Sequence, residues 1–118
     1  MATIYAIEEI KKDVQEFVEI AIEDKIPKVQ IHNMFYPIRW SLVNHWSTEK
    51  LLEEVKKYSD REIAASEIIG RTIVSKRFAE KILSIVYRYH RRPHDLRLLI
   101  DTAILLYNDR KQAADKTV

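Results

Sequence analysis

The stretch that decides the fold runs from Ser75 to His90 and reads SKRFAEKILSIVYRYH. At about 100° per residue one set of apolar side chains falls on one side of a helix, Leu83 and Tyr87 fall on another side, and the basic side chains form a line between them. Ser75, or Thr72 before it, can cap this helix, and Pro93 interrupts it after His90. The apolar side consists of Val74, Phe78, Ile82, Ile85 and Tyr89, and the basic line of Arg77, Lys81, Arg88 and Arg91. The stretch therefore predicts an amphipathic helix with a cationic ridge.

The rest of the chain repeats this helical periodicity, which predicts an all-α fold in a single compact domain of about five or six helices. A single glycine and three prolines leave little material for loops, and 47% hydrophobic residues are enough to build a core. Further helices are predicted from Thr3 to about Asp24, after Pro37, after Ser47 or Thr48, from Ser59 and from Pro93. We expect the helical domain over residues 1–112 and a frayed C-terminal tail over residues 113–118.

The span from Ser59 to Arg92 contains the parts of a helix-turn-helix. Ser59 and Glu62 have the spacing of a capping box, which predicts the start of a short first helix. Gly70 stands where that helix should end, and the helix with the cationic ridge follows it. The sequence therefore predicts a helix-turn-helix-like unit whose second helix carries the basic side chains.

Charge is unevenly distributed along the chain, although the overall net charge is only +2. Residues 1–25 contain seven acidic and three basic residues, whereas residues 71–97 contain eight basic and two acidic residues. Such asymmetry indicates a polyanion partner or an oppositely charged surface on another copy of the chain. We therefore predict a small regulatory or architectural protein that binds nucleic acid, with duplex DNA favoured over RNA.

The predicted nucleic-acid site combines two sets of side chains. Cations displace condensed counterions and give affinity, while hydroxyls and arginines can reach base edges and give discrimination. The specificity set is Arg71, Thr72, Ser75 and Lys76, and the phosphate-binding set is Arg77, Lys81, Arg88, Arg91 and Arg92.

A structural or scaffold subunit is the alternative prediction. The acidic face of the first helix, with Glu9, Glu16 and Glu23, could meet the cationic ridge of a neighbouring copy and form rings or filaments. Leu98 and Leu105 lie one heptad apart on the last helix, and they are the predicted oligomer interface of a possible homodimer.

A second alternative comes from the segment Arg39 to His45, which reads RWSLVNH. It resembles the Arg-x(4 to 6)-His motif of the HEPN helical ribonucleases. The resemblance implies that Arg39 would stabilise phosphate charge while His45 assists proton transfer during RNA cleavage. The surrounding aromatic residues are expected to anchor the core, and they include Phe35, Tyr36, Trp40 and Trp46.

Other classes of function receive no support from the residues. The chain has no cysteine, which fits a reducing, cytoplasmic location, and no apolar run reaches the ~18 residues of a membrane span. His90 and His94 have the spacing of helical metal ligands, but Pro93 separates them, so no metal site is expected. No cofactor and no enzymatic activity are predicted. The scarcity of Asn and Gln beside many Glu, Lys and Arg favours a thermophilic source.

Overall fold

A computed structural model describes residues 4–116, and five α-helices account for most of this range. The helices are α1 (Ile4–Glu23), α2 (Lys28–Asn44), α3 (Thr48–Ile69), α4 (Lys76–Tyr89) and α5 (Pro93–Lys116). They form one all-α domain, as the periodicity predicted. No helix within the described range is long and apolar enough to cross a membrane. The tail predicted for residues 113–118 overlaps the last turn of α5, and residues 117 and 118 lie outside the described range.

Short side chains and one glycine set the boundaries of α3 and α4. The hydroxyl of Ser47 accepts the backbone N–H of Lys50 at 3.2 Å, and the hydroxyl of Ser75 accepts that of Phe78 at 3.2 Å. These bonds satisfy donors that the first turn of a helix leaves free. Gly70 ends α3 with a left-handed backbone (φ 72°), a conformation that side chains with a Cβ rarely adopt. The predicted capping roles of Ser47, Ser75 and Gly70 are confirmed.

The predicted helix start at Ser59 is wrong, because α3 continues through this residue. Ser59 is buried, and its hydroxyl donates to the carbonyl oxygen of Val55 at 2.8 Å. A serine inside a helix can satisfy its hydroxyl in this way, so the capping-box spacing does not by itself mark a boundary. The unit that precedes α4 is therefore a 22-residue helix, joined to α4 by the six residues 70–75.

The predicted helix start at Pro37 is also wrong. Pro37 lies inside α2, which begins at Lys28 directly after Pro27. A proline inside a helix leaves the carbonyl group four residues earlier without its ladder donor. Here that residue is Asn33, which is exposed, so water can hydrate its carbonyl group. The residues of α2 before Pro37 are helical because this conformation buries Ile31, Met34 and Phe35 in the core.

The core is organised around α1, which packs against α4 and most extensively against α5. The ring of Phe17 on α1 lies between Phe35 of α2 and Phe78 of α4, with centroid distances of 5.3 and 5.0 Å. The hydroxyl of Tyr107 on α5 donates to the carbonyl oxygen of Ile26 at 2.7 Å, which ties α5 to the α1–α2 turn. The helix with the cationic ridge is thus held directly against the acidic first helix.

Candidate functional surfaces

The cationic ridge of α4 faces the acidic side of α1 within the same chain. Arg77 donates to Asp24 and Glu23, both at 2.7 Å, and Lys81 donates to Asp13 at 2.9 Å and to Glu16 at 2.7 Å. The same pattern continues at the end of α4, where Arg88 pairs with Asp13, and beyond the helix, where Arg92 pairs with Glu9 and Asp95. The charge asymmetry of the sequence therefore corresponds to a row of ion pairs between two helices of one molecule.

Asp13 is the centre of this row, and it is only 1% exposed. Its carboxylate accepts hydrogen bonds from the hydroxyl of Tyr89 at 2.6 Å, from Nζ of Lys81 at 2.9 Å and from Nη1 of Arg88 at 2.8 Å. Burial raises the pKa of Asp13, but the hydrogen bonds from Tyr89, Lys81 and Arg88 together outweigh burial and hold its pKa below the usual value. Asp13 therefore stays ionised and links α1 to α4.

The ion pairs leave this side of the molecule without excess positive charge. Four cations of the predicted phosphate-binding set share six carboxylates, so a phosphate would compete with a carboxylate that is already bound at each of them. Counterion release, which drives binding to a phosphate backbone, needs cations that are free to contact it. The paired residues are Arg77, Lys81, Arg88 and Arg92.

The other predicted contacts are divided between the two ends of α4. Arg71 and Thr72 line a shallow groove of about 580 Å³ with Lys25 of the α1–α2 turn, and Lys76 is exposed in the first turn of α4. The hydroxyl of Ser75 donates to Asp24. Arg91 is exposed beyond the other end of α4, which is about 21 Å long, and so lies away from the Arg71 group.

A surface that the nucleic-acid prediction did not use lies on α2 and α5. Arg39 of α2 pairs with Asp101 of α5 at 3.3 Å, and both residues line a groove with Val43 and Arg97. Around this pair, five large hydrophobic side chains are 47–71% exposed. They are Tyr36, Trp40 and Val43 on α2, and Leu98 and Leu105 on α5, and we call them the α2–α5 face.

The α2–α5 face corrects the expectation that the aromatic segment anchors the core. Phe35 is fully buried and Trp46 is partly buried, but Tyr36 and Trp40 are exposed, and their rings stack at a centroid distance of 6.2 Å. Tyr36, Trp40 and Val43 are spaced i, i+4 and i+7, so they share one side of α2. That side is opposite to the buried side of α2. The exposure of these three residues could have been predicted from their spacing if α2 had been recognised as one helix that continues through Pro37.

The two residues of the HEPN-like motif have different neighbours. Arg39 pairs with Asp101, whereas His45 ends α2 with a left-handed backbone (φ 56°) and lines a separate cavity of about 260 Å³ with Trp46 and His90. Within residues 4–116 no three His, Cys, Asp or Glu side chains lie together as metal ligands. Arg39 and His45 thus line two different pockets.

No protein family, no curated protein and no solved structure matches this chain. Its function is therefore inferred from its own surfaces.

Proposed function

We propose that this protein is a helical structural subunit that acts by docking another protein surface onto its α2–α5 face. The observation that supports this proposal is the exposed apolar area of that face. Its five hydrophobic residues are 47–71% exposed, and the two largest, Tyr36 and Trp40, stack on each other at the surface. Clusters of exposed apolar residues rimmed by polar ones often mark protein interaction sites.

The residue types of the face also support docking of a protein. Tyrosine, tryptophan and arginine are the residues that most often dominate the binding energy of protein interfaces. Here Tyr36 and Trp40 stack on each other, and Arg39 lies between them in the sequence with its charge directed to Asp101. The pair of rings is a rigid, apolar anchor, while the ion pair supplies a polar contact that can discriminate between partners.

Photocrosslinking from the α2–α5 face tests this proposal, and the chain offers a matched control. Photoreactive p-benzoylphenylalanine replaces Tyr36 in one variant and Tyr87 in another, since these tyrosines are 64% and 71% exposed on different helices. Both variants are irradiated in the cells that naturally produce the protein. We expect a product of discrete mass from position 36 and little from position 87. No product from position 36, or equal products from both positions, would contradict the proposal.

Nucleic-acid binding is a second candidate, and one observation favours it. Lys25, Lys28, Arg71 and Lys76 are exposed at the end of the bundle where the α1–α2 turn meets the start of α4. This group retains Arg71 and Lys76 of the predicted specificity set, with Thr72 next to them, and it adds two lysines that the sequence interpretation did not select. We infer that any contact with duplex DNA is made by this end and not by the ion-paired ridge.

This second candidate predicts a particular dependence on salt. Four phosphate contacts correspond to a log–log salt slope of about −4, and replacing Arg71 and Lys76 by Ala should flatten it by about two. Fluorescence anisotropy of a labelled duplex measures both quantities. The control replaces Lys56 and Lys57, which are exposed on α3 and paired with acids of their own helix. Absence of binding at low salt, or equal losses in both variants, would eliminate this candidate.

A further inference from the structure

We propose that the occupant of the α2–α5 face is a second copy of this chain, related to the first by a two-fold axis that passes near Arg39 and Asp101. This inference rests on the proposed function, because it names the partner for the same surface. A two-fold interface must be self-complementary, since each copy presents the same residues to the other.

The arrangement of the two helices meets this requirement in shape. Arg39 lies opposite Asp101, and Val43 shares a groove with Arg97, so α2 and α5 run antiparallel at this face. The apolar side chains on α2 run from Tyr36 to Val43, and those on α5 from Leu98 to Leu105. In each set the first and last residues are seven positions apart, or about 10 Å. Rotation by 180° about an axis parallel to the helices places the apolar set of α2 on the equally long set of α5 in the second copy, which gives an intermolecular four-helix arrangement.

The charges of the face are self-complementary as well. Arg39 and Asp101 occupy the middle of the apolar surface, and each is about half exposed. A two-fold axis that lies in the interface, parallel to α2 and α5 and midway between them, brings Arg39 of one copy next to Asp101 of the other, so that the four charges alternate in sign. An unrelated partner would need a matching pair of opposite charges at the same spacing, whereas a second copy always carries it.

The extent of the face is compatible with a dimer interface. A standard interface removes about 800 Å² from each partner, which takes several large side chains. Five hydrophobic residues of the face are 47–71% exposed, and Arg39 and Asp101 beside them are about half exposed. The face therefore offers seven exposed residues on two helices for contact with a second copy.

Charge reversal provides a test that separates a homodimer from other uses of the face. The R39D variant carries two acids at the centre of the face, and the D101R variant carries two cations. We expect the wild-type protein to sediment as a dimer at about 100 μM, and each variant to dimerise at least tenfold more weakly because like charges meet at the axis. An equimolar mixture of the two variants should regain the dimer, since their charges are complementary, and the R39D/D101R double variant should regain it too.

Two controls accompany the charge reversals. Lys56→Asp changes an exposed charge on α3, away from the face, and should leave the dimerisation constant unchanged. Circular dichroism with thermal unfolding checks that each variant is folded, so that a loss of the dimer is not a loss of the fold. Both charge reversals are at half-exposed positions, where replacement leaves no cavity.

The possible outcomes separate this inference from the proposed function. A monomeric wild-type protein at about 100 μM, or a mixture of R39D and D101R that stays monomeric, would overturn the homodimer. If photocrosslinking at position 36 then yields a product with a different protein, the proposed docking function stands and only the identity of the occupant changes. If the protein is monomeric and position 36 yields no product, both proposals fail.

Discussion

Asp13→Asn is expected to lower the free energy of unfolding by about 3–5 kcal/mol, because it removes one member of a buried charge network. Asp13 is buried and accepts hydrogen bonds from Lys81, Arg88 and Tyr89. An asparagine has nearly the same shape, but its amide nitrogen is a donor and cannot accept the hydrogen bonds that the carboxylate accepts, and Lys81 keeps only the half-exposed Glu16 as its counter-charge. Urea unfolding monitored by circular dichroism measures the loss.

The matched control for this prediction is Asp60→Asn, at an ion pair of similar length in an exposed position. Asp60 accepts from Lys56 at 2.7 Å, and both side chains are largely exposed on α3. Water screens such a pair, so its loss should cost less than about 1 kcal/mol. Equal and small losses in both variants would show that Asp13 is not the structural link between α1 and α4.

The same substitution should change the dependence of stability on pH. The pKa of Asp13 is lowered in the folded protein, so its contribution is complete above the unfolded pKa of about 4 and is lost as the pH falls through the folded pKa. Asp24 behaves in the same way, since hydrogen bonds from Arg77 lower its pKa. Stability measured between pH 7 and pH 2 should therefore fall less steeply for Asp13→Asn than for the wild-type protein, while a smaller acid dependence remains from Asp24. Identical pH profiles would contradict the assignment.

The sequence predicts α4 well because the signals for its start, its buried side and its end are local. The apolar spacing of α4, the cap at Ser75 and the break near Pro93 all lie within the helix or next to it. The two wrong helix starts have a common cause. Ser59 and Pro37 each carry a local signal for a boundary, but the inward-facing side chains continue in phase past both residues. Phe35 and Ile38 are buried on the two sides of Pro37, and the partly buried Ile63 continues the line of Val55 and Ser59, so packing keeps each helix intact.

Helical periodicity alone cannot predict that α1 packs against α4. Helical spacing identifies the acidic side of α1 and the basic side of α4, but it does not say which helices are neighbours. Asp13 and Arg88 are 75 residues apart, and only the packing of α1 against α4 brings them together. The charge pattern was consistent with a polyanion or with a second copy, and the structure adds a partner inside the same chain.

The α2–α5 face was missed for a related reason. Large aromatic residues in a small domain are usually buried, so Tyr36 and Trp40 were expected in the core. Their exposure becomes predictable only when α2 is recognised as one continuous helix, because Phe35 and Ile38 then occupy its buried side. Leu98 and Leu105 are exposed on α5. Their heptad spacing places them on one side of that helix whatever its boundaries, but it does not distinguish a seam with a second subunit from a contact with the rest of the bundle.

Phe17→Ala is expected to cost about 3–5 kcal/mol, and comparison with Trp40→Ala separates the residues that hold the fold from those that form the face. Phe17 is fully buried between Phe35 and Phe78, so removal of its ring leaves a cavity at the junction of three helices. Trp40 is 49% exposed, and its loss should lower the stability of the monomer much less.

The two substitutions should have opposite effects on stability and association. Unfolding is measured by urea titration at about 1 μM protein, where a dimer of moderate affinity dissociates and does not add to the stability. Association is measured by sedimentation at higher concentration. Phe17→Ala should weaken the fold, whereas Trp40→Ala should leave the monomer folded and weaken self-association at least tenfold. A large loss of stability from Trp40→Ala would mean that this ring contributes to the core after all, and its exposure would then be no evidence for a docking surface.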